Sequence, residues 1–145
     1  MPPVLNQLNL VVRNMEASVE FYRRLGLGVD PPPGVWAAHH VEVKLPNDMS
    51  LELDSVASAK IWNTGAREPS GGGDGAVVIG FALPTRQAVD DLFDHMAAGG
   101  YTGQQPPYDA FWGARYAIIE DPDGNGVGLM SPSEPDKRVP WPDPE

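Results

Sequence analysis

Polar and apolar residues alternate along "LNQLNLVVRN" (5–14): Leu8, Leu10 and Val12 fall on one face, Gln7, Asn9 and Val11 on the other. That is the period of a half-buried strand. Asn14 then offers a side-chain acceptor to the first turn of a helix, "MEASVEFYRRLG". There Met15, Ser18, Val19, Tyr22 and Leu25 recur at helical spacing, and Gly26 supplies the stop. The prolines of "DPPPG" (30–34) exclude helix and central strand and predict a loop. "HHVEVKL" and "SLELD" predict a hairpin around "PNDM". Between Ser55 and Asp74 the pattern dissolves, ending in "SGGGDG", a flexible connector.

The scheme then repeats. "AVVIGFAL" (76–83) reads as a strand, and Pro84 and Thr85 introduce a helix with Ala88, Val89, Leu92, Phe93 and Met96 as its apolar stripe, ended by Gly99 and Gly100. "ARYAIIE" and "GVGLM" form a second hairpin across Asp121-Pro122-Asp123-Gly124, with Pro at the second turn position and Gly at the fourth. The tail "SEPDKRVPWPDPE" is proline-rich and reads as extended. Equivalent positions are offset by about 69 residues at the first strand and 76 at the last. This order predicts an internal duplication of a βαβββ unit within one domain, an α+β fold. The modules span 4–56 and 75–131, with a linker over 57–74 and a tail over 132–145.

Composition narrows the function classes. At 145 residues the chain can bury roughly 70% of its unfolded surface, enough for a core without staples. The absence of cysteine removes disulfides, thiolate metal ligands and thiol nucleophiles, and fits a reducing compartment. A net charge of −10 with no basic stripe argues against nucleic acid. Solubility is the plain reading of that charge, and a preference for cationic ligands the sharper one. "MPPVLNQLN" has no basic stretch followed by an apolar run, and no apolar run approaches the ~20 residues of a bilayer span. The expected setting is cytoplasmic.

"LNLVVRNMEASVEFYRRLGLGV" and, half a chain later, "FWGARYAIIEDPDGNGVGLMSP" together resemble the vicinal oxygen chelate superfamily. That group includes glyoxalase I, extradiol dioxygenases and the bleomycin and fosfomycin resistance proteins. The most specific pieces are the "S-x-x-F-Y-x-x-L-G" helix and the "D-P-D-G-N" turn, and the likeness covers roughly residues 4–131. It implies paired βαβββ modules curling a mixed sheet into a cup with helices outside, usually completed by homodimerisation. Metal-dependent members place His on the first strand of each half and Glu or His on the last, a set suited to a divalent ion with open positions. Carried over one position at a time, these fall at Gln7, Glu52, Ala76 and Gly128. Ala and Gly have no ligand atom and a Gln carbonyl is a weak one, so no metal and no other cofactor is expected.

Alternation puts Gly126, Gly128 and Met130 on the cup face and Val127 and Leu129 behind. A glycine inside a strand marks close approach of a ligand or backbone, or else a bend or bulge. Gln7 and Asn9 share the cup face. The hairpin register that sets Val43 and Leu45 against Leu51 and Leu53 adds His40, Glu42, Lys44 and Glu52 to it. Ala76, Val78, Gly126, Gly128 and Met130 stand across from them, giving a pocket polar on one wall and apolar on the other, as binding sites commonly are. A plain Lys44–Glu52 surface pair is the competing reading. His39 and His40 point to opposite faces, so they make no ligand pair; His40 is a candidate base, a partner of Glu42 and Glu52 on a metal, or merely solvated.

Arg115 is placed near Met130 at the cup's edge, to meet an anion or pair with an acid. Tyr108, Phe111 and Trp112 offer an aromatic rim, or ordinary packing; Trp36, Trp62 and Trp141 are lids or anchors. "GGGDG" has no following helix and Lys, so it is no phosphate loop.

The candidate ligand-binding residues are therefore Gln7, Asn9, His40, Glu52, Val78, Trp112, Arg115, Gly128 and Met130. The expected function is metal-independent enclosure of a small molecule, cationic or aromatic, for sequestration or resistance, by a homodimer. The rival is a lyase, isomerase or dioxygenase of glyoxalase type using a displaced metal site or acid–base residues. A third reading has the cup filled by its own side chains or the tail, because one scaffold hosts unrelated chemistries.

Overall fold

A computed structural model describes residues 1–69 and 75–144. Most of the glycine-rich connector, and with it the excluded phosphate loop, lies outside the described residues. The chain divides into two compact units, Met1–Gly71 and Gly72–Glu145. Both combine helices with a sheet of mixed parallel and antiparallel pairs, an α+β fold. Among the described residues no helix is long and apolar enough to cross a membrane.

The first unit runs β1 (Gln7–Val12), α1 (Met15–Leu25), a 3-10 helix (Gly34–Ala38), β2 (His40–Lys44), β3 (Ser50–Ser55) and α2 (Val56–Trp62). Asn14 caps α1 by accepting from the Ala17 N–H at 3.0 Å, and Gly26 ends it with φ 110°. That left-handed conformation is one in which a side chain is strained. The inner face of α1, including Val19, Phe21, Tyr22 and Leu25, is buried, as are Val12, Val41, Val43, Leu51 and Leu53 of the strands. The sheet order is β1-β3-β2, parallel on one side of β3 and antiparallel on the other.

Four expectations need correction here. Val43 does oppose Leu51, but Val41 and not Leu45 opposes Leu53; Leu45 lies past the strand end, its N–H donating to the Met49 carbonyl at 2.8 Å. The facing assignment survives because Val41 and Leu45 have the same parity. Lys44 stands opposite Ser50 and Glu42 opposite Glu52, so the Lys44–Glu52 pair is not made. Among the described residues the unit also has three strands, not four. Between helix and hairpin Pro31, Pro32 and Pro33 remove three N–H donors, and the chain continues in the 3-10 helix. Finally, the stretch read as patternless carries α2, capped by Ser55 Oγ accepting from the Ser58 N–H at 3.0 Å.

The second unit runs β4 (Val78–Ala82), α3 (Arg86–Ala98), β5 (Gly103–Asp109), β6 (Arg115–Glu120), β7 (Gly126–Met130) and a 3-10 helix (Pro135–Lys137). Its sheet order is β4-β7-β6-β5. Thr85 caps α3, accepting from the Ala88 N–H at 3.0 Å. Val89 and Met96 of α3 are buried, with Ala117, Ile119, Val127 and Leu129 of the sheet. Pro106 and Pro107 sit in β5, an edge strand whose register shifts twice, which is where a sheet tolerates residues without N–H donors. The Asp121–Gly124 turn closes through the Gly124 N–H to the Asp121 carbonyl at 2.9 Å.

The tail is strapped to the 111–113 loop. The Glu134 N–H donates to the Gly113 carbonyl and the Val139 N–H to that of Phe111, each at 3.0 Å. Trp141 packs on Phe111 with centroids 5.0 Å apart.

Candidate functional site

The first unit holds a cavity of about 760 Å³, lined by Gln7 and Asn9 of β1, His40 of β2, Glu52 and Asp54 of β3, and Ser58, Ile61 and Trp62 of α2, with Pro32, Pro33 and Trp36 completing it. Alternation on three paired strands builds the polar wall. In register, Asn9 neighbours Glu52 and His40 neighbours Asp54.

Asp54 organises this wall. Only 1% of it is exposed, and its oxygens accept from Asn9 Nδ2 at 3.1 Å and Ser58 Oγ at 3.2 Å and bond His40 Nδ1 at 2.8 Å. A carboxylate in such a place requires these partners, since an unpaired buried charge is costly. Gln7 Nε2 donates to Asn9 Oδ1 at 3.0 Å, fixing that amide in turn. His40 is held above its ordinary pKa of 6.5, chiefly by the hydrogen bond to Asp54. Burial opposes the rise, and the charges of Asp54, Glu52 and Glu42 add to it. With Nδ1 bound to Asp54, Nε2 is left for the cavity.

Glu52 is differently placed. Its Oε1 accepts from Ser50 Oγ at 3.2 Å, while Oε2 is buried and has no hydrogen-bond donor. His40 Nε2 stands 3.7 Å from that oxygen, beyond hydrogen-bond reach. Trp36 and Trp62 flank the cavity half exposed, at 50% and 52%.

Of the nine residues expected from the sequence, the structure brings together Gln7, Asn9, His40 and Glu52. Asp54, Ser58 and Ile61 were missed. Asp54 had a signal: it shares the parity of Glu52, two residues on. Ser58 and Ile61 depend on α2, a helix too short to announce itself by periodicity.

The other five expected residues lie in the second unit. Val78 and Met130 are exposed. Gly128 is covered: a Cβ there would meet Tyr116 Oη at 2.9 Å and the Tyr116 ring at 3.3 Å. At Gly126 a Cβ would meet Val78 Cγ2 at 3.3 Å and Ile118 Cγ2 at 3.4 Å. The unit's own side chains lie against these glycines. Trp112 belongs to an edge-to-face chain, 5.1 Å from Phe111 and 5.4 Å from Tyr116, with Tyr108 6.3 Å from Tyr116.

Arg115 makes the acid pairing that was one of its two expected roles, but on the other face of the sheet. It shares the parity of the buried Ala117 and Ile119, so it points toward α3 and away from the face of Tyr116 and Met130. There Nε donates to Asp90 at 2.9 Å and Nη1 to Asp109 at 3.1 Å, and Arg86 also pairs with Asp109. The hydrogen bond to Asp90 leads in raising the Arg115 pKa, and Arg86 and then Arg115 hold Asp109 below its ordinary value.

The family model of the Glyoxalase/Bleomycin resistance protein/Dioxygenase superfamily matches residues 4–129. The chain belongs to that superfamily. A glyoxalase/bleomycin resistance protein/dioxygenase from Nocardioides is 25% identical, with a TM-score of 0.71 over 98% of this chain and 91% of that one. A glyoxalase-related enzyme from Fulvimarina pelagi is 19% identical, TM-score 0.73, over 89% and 88%. A lactoylglutathione lyase from Agrobacterium tumefaciens is 20% identical, TM-score 0.67, over 91% and 96%. The last two likenesses speak to the fold alone. No curated protein matches the chain.

Strand pairing refines how the superfamily's metal positions map here. Gln7 pairs with Ser50 and Val78 with Gly126, two residues before Glu52 and Gly128 respectively. Gln7 and Val78 also each precede their helix caps, Asn14 and Thr85, by seven residues. By strand pairing Val78 is the counterpart of Gln7, whereas Ala76, the position taken from the resemblance, lies before the strand. Val78 and Gly128 carry no donor atom, leaving one carboxylate and one amide, which do not fit a divalent ion with open coordination. Among the described residues no three His, Asp or Glu side chains gather as a metal site.

Proposed function

We propose that this superfamily member encloses a small organic molecule in the first unit's cavity without a metal ion, in the manner of a sequestering or resistance protein. The observation that carries the reading is the cavity itself. Its roughly 760 Å³ volume suits a drug-sized molecule, and apolar walls converge on a few fixed polar groups. The donor set speaks for independence from metal, since two of the four superfamily positions are Val78 and Gly128.

A screen of cationic, neutral and anionic aromatic compounds, followed by tryptophan fluorescence, tests the reading. Saturable quenching that weakens in Glu52→Ala is expected. Uniform absence of quenching, or about one transition metal per chain after purification without added metal, contradicts it.

One observation favours a second reading, an acid–base enzyme. His40 is fixed through Nδ1 on the buried Asp54 with Nε2 toward the cavity, the arrangement of an oriented general base. Turnover of a bound compound, abolished in His40→Gln with binding retained, distinguishes it. Homodimeric assembly belongs to the proposal and is read by light scattering on the purified chain.

A further inference from the structure

The charges lining the cavity narrow the ligand class. Resting on the binding reading above, we infer that the cavity takes a small organic monocation bearing an N–H donor, a protonated amine or amidine on an aromatic body, anchored on Glu52 between Trp36 and Trp62.

Two carboxylates, Glu52 and Asp54, and one imidazole, His40, line the cavity, and no Lys or Arg does. With His40 protonated the wall keeps one negative charge; with His40 neutral it keeps two. Among the described residues no Lys or Arg lines the cavity to answer that excess, and Lys44 stands opposite Ser50.

Asp54 already has three partners, from Asn9, His40 and Ser58. Glu52 Oε2 has no donor although it is buried, so it is the acceptor left for a guest. A neutral guest leaves the charge unbalanced, and an anion adds repulsion. A quaternary ammonium balances charge but brings no hydrogen bond. A protonated amine supplies both, and charge-assisted bonds are the strong ones. The two half-exposed indoles line the cavity, and aromatic rings attract a cation and its aromatic body. The net charge of −10 draws cations toward the molecule as a whole.

The test uses the full chain and four probes of one shape: phenethylamine, 2-phenylethanol, 3-phenylpropionate and trimethyl(phenethyl)ammonium, each titrated by calorimetry at neutral pH. The amine is expected to bind roughly tenfold tighter than the alcohol, a gap of one charge-assisted bond. The quaternary ion falls between them and the carboxylate binds weakest. Glu52→Gln should bring the amine-to-alcohol ratio near one while the alcohol keeps its affinity.

Should that variant fail to fold, the wild-type ratio still decides, because rising salt must narrow an electrostatic advantage. An amine bound no more tightly than the alcohol, or a ratio unmoved by both Glu52→Gln and salt, overturns the inference. Binding of only the alcohol or the carboxylate overturns it too, and leaves the cavity reading standing. Silence from all four probes also overturns it, with the cavity reading then judged by the wider screen.

Discussion

In the first unit, the sheet positions Gln7, Asn9, His40, Glu52 and Asp54 form a hydrogen-bonded wall with open space before it. In the second, the positions matched by strand pairing are Val78, Gly80, Gly126 and Gly128; Ile118 lies against Gly126 and Tyr116 against Gly128, while Gly80 has no side chain over it. The two units share an order of strand, helix and hairpin and differ in what occupies one sheet face. A buried carboxylate forces its neighbours to serve as donors, which fixes a polar surface. Gly128 makes no such demand and is covered by the Tyr116 ring.

The segment after the first helix widens the contrast. The second unit spends it on edge strand β5, whereas the first, after Pro31–Pro33, makes the short 3-10 helix that brings Trp36 to the cavity.

Asp54→Ala should show the largest effect. It leaves three polar partners unsatisfied, and urea unfolding should report a loss of about 3 kcal/mol. A loss well under 1 kcal/mol would mean the polar wall is not fixed as described.

Gly128→Ala probes the opposite face. Its new methyl would meet Tyr116 Oη, at an expected cost of about 1 kcal/mol. Tyr116→Phe in the same chain should recover much of that cost, and a double-mutant cycle reads the coupling. Simple additivity would show that Tyr116 does not cover the glycine.

Arg115→Met should cost about 1 kcal/mol through its lost pairs with Asp90 and Asp109. Ligand affinity measured by calorimetry should not change. A fall in affinity would restore Arg115 to the site.

The gentlest probe is pH. The folded protein holds the His40 proton more tightly than the unfolded chain does, through Asp54 above all. The stability this gives is fully present below pH 6.5 and fades as pH rises through the raised folded value. His40→Gln should flatten that part of the stability–pH profile, measured by urea unfolding. A slope of unchanged size would locate the linkage elsewhere.

Much of this was legible in the sequence where one local cause dominates. Alternation placed Gln7, Asn9 and Glu52, side-chain acceptors marked both helix caps at Asn14 and Thr85, and Pro122 with Gly124 marked the turn. What escaped depends on tertiary partners. α2 has only seven residues, about two turns, too few for an apolar stripe to stand out. Arg115 was assigned to the wrong face because its neighbour Tyr116, and not Arg115 itself, pairs with Met130. The covering of Gly128 by Tyr116 needs a cross-strand contact that composition cannot announce.

The four tryptophans divide evenly between the units, Trp36 and Trp62 in the first and Trp112 and Trp141 in the second, and each indole N–H is a separate probe. Titrating phenethylamine into the isotopically labelled protein and following those signals by NMR tests the central claim, that a guest enters the first unit's cavity. Saturable shifts are expected at Trp36 and Trp62 while Trp112 and Trp141 stay still. Shifts confined to Trp112 and Trp141 would contradict it.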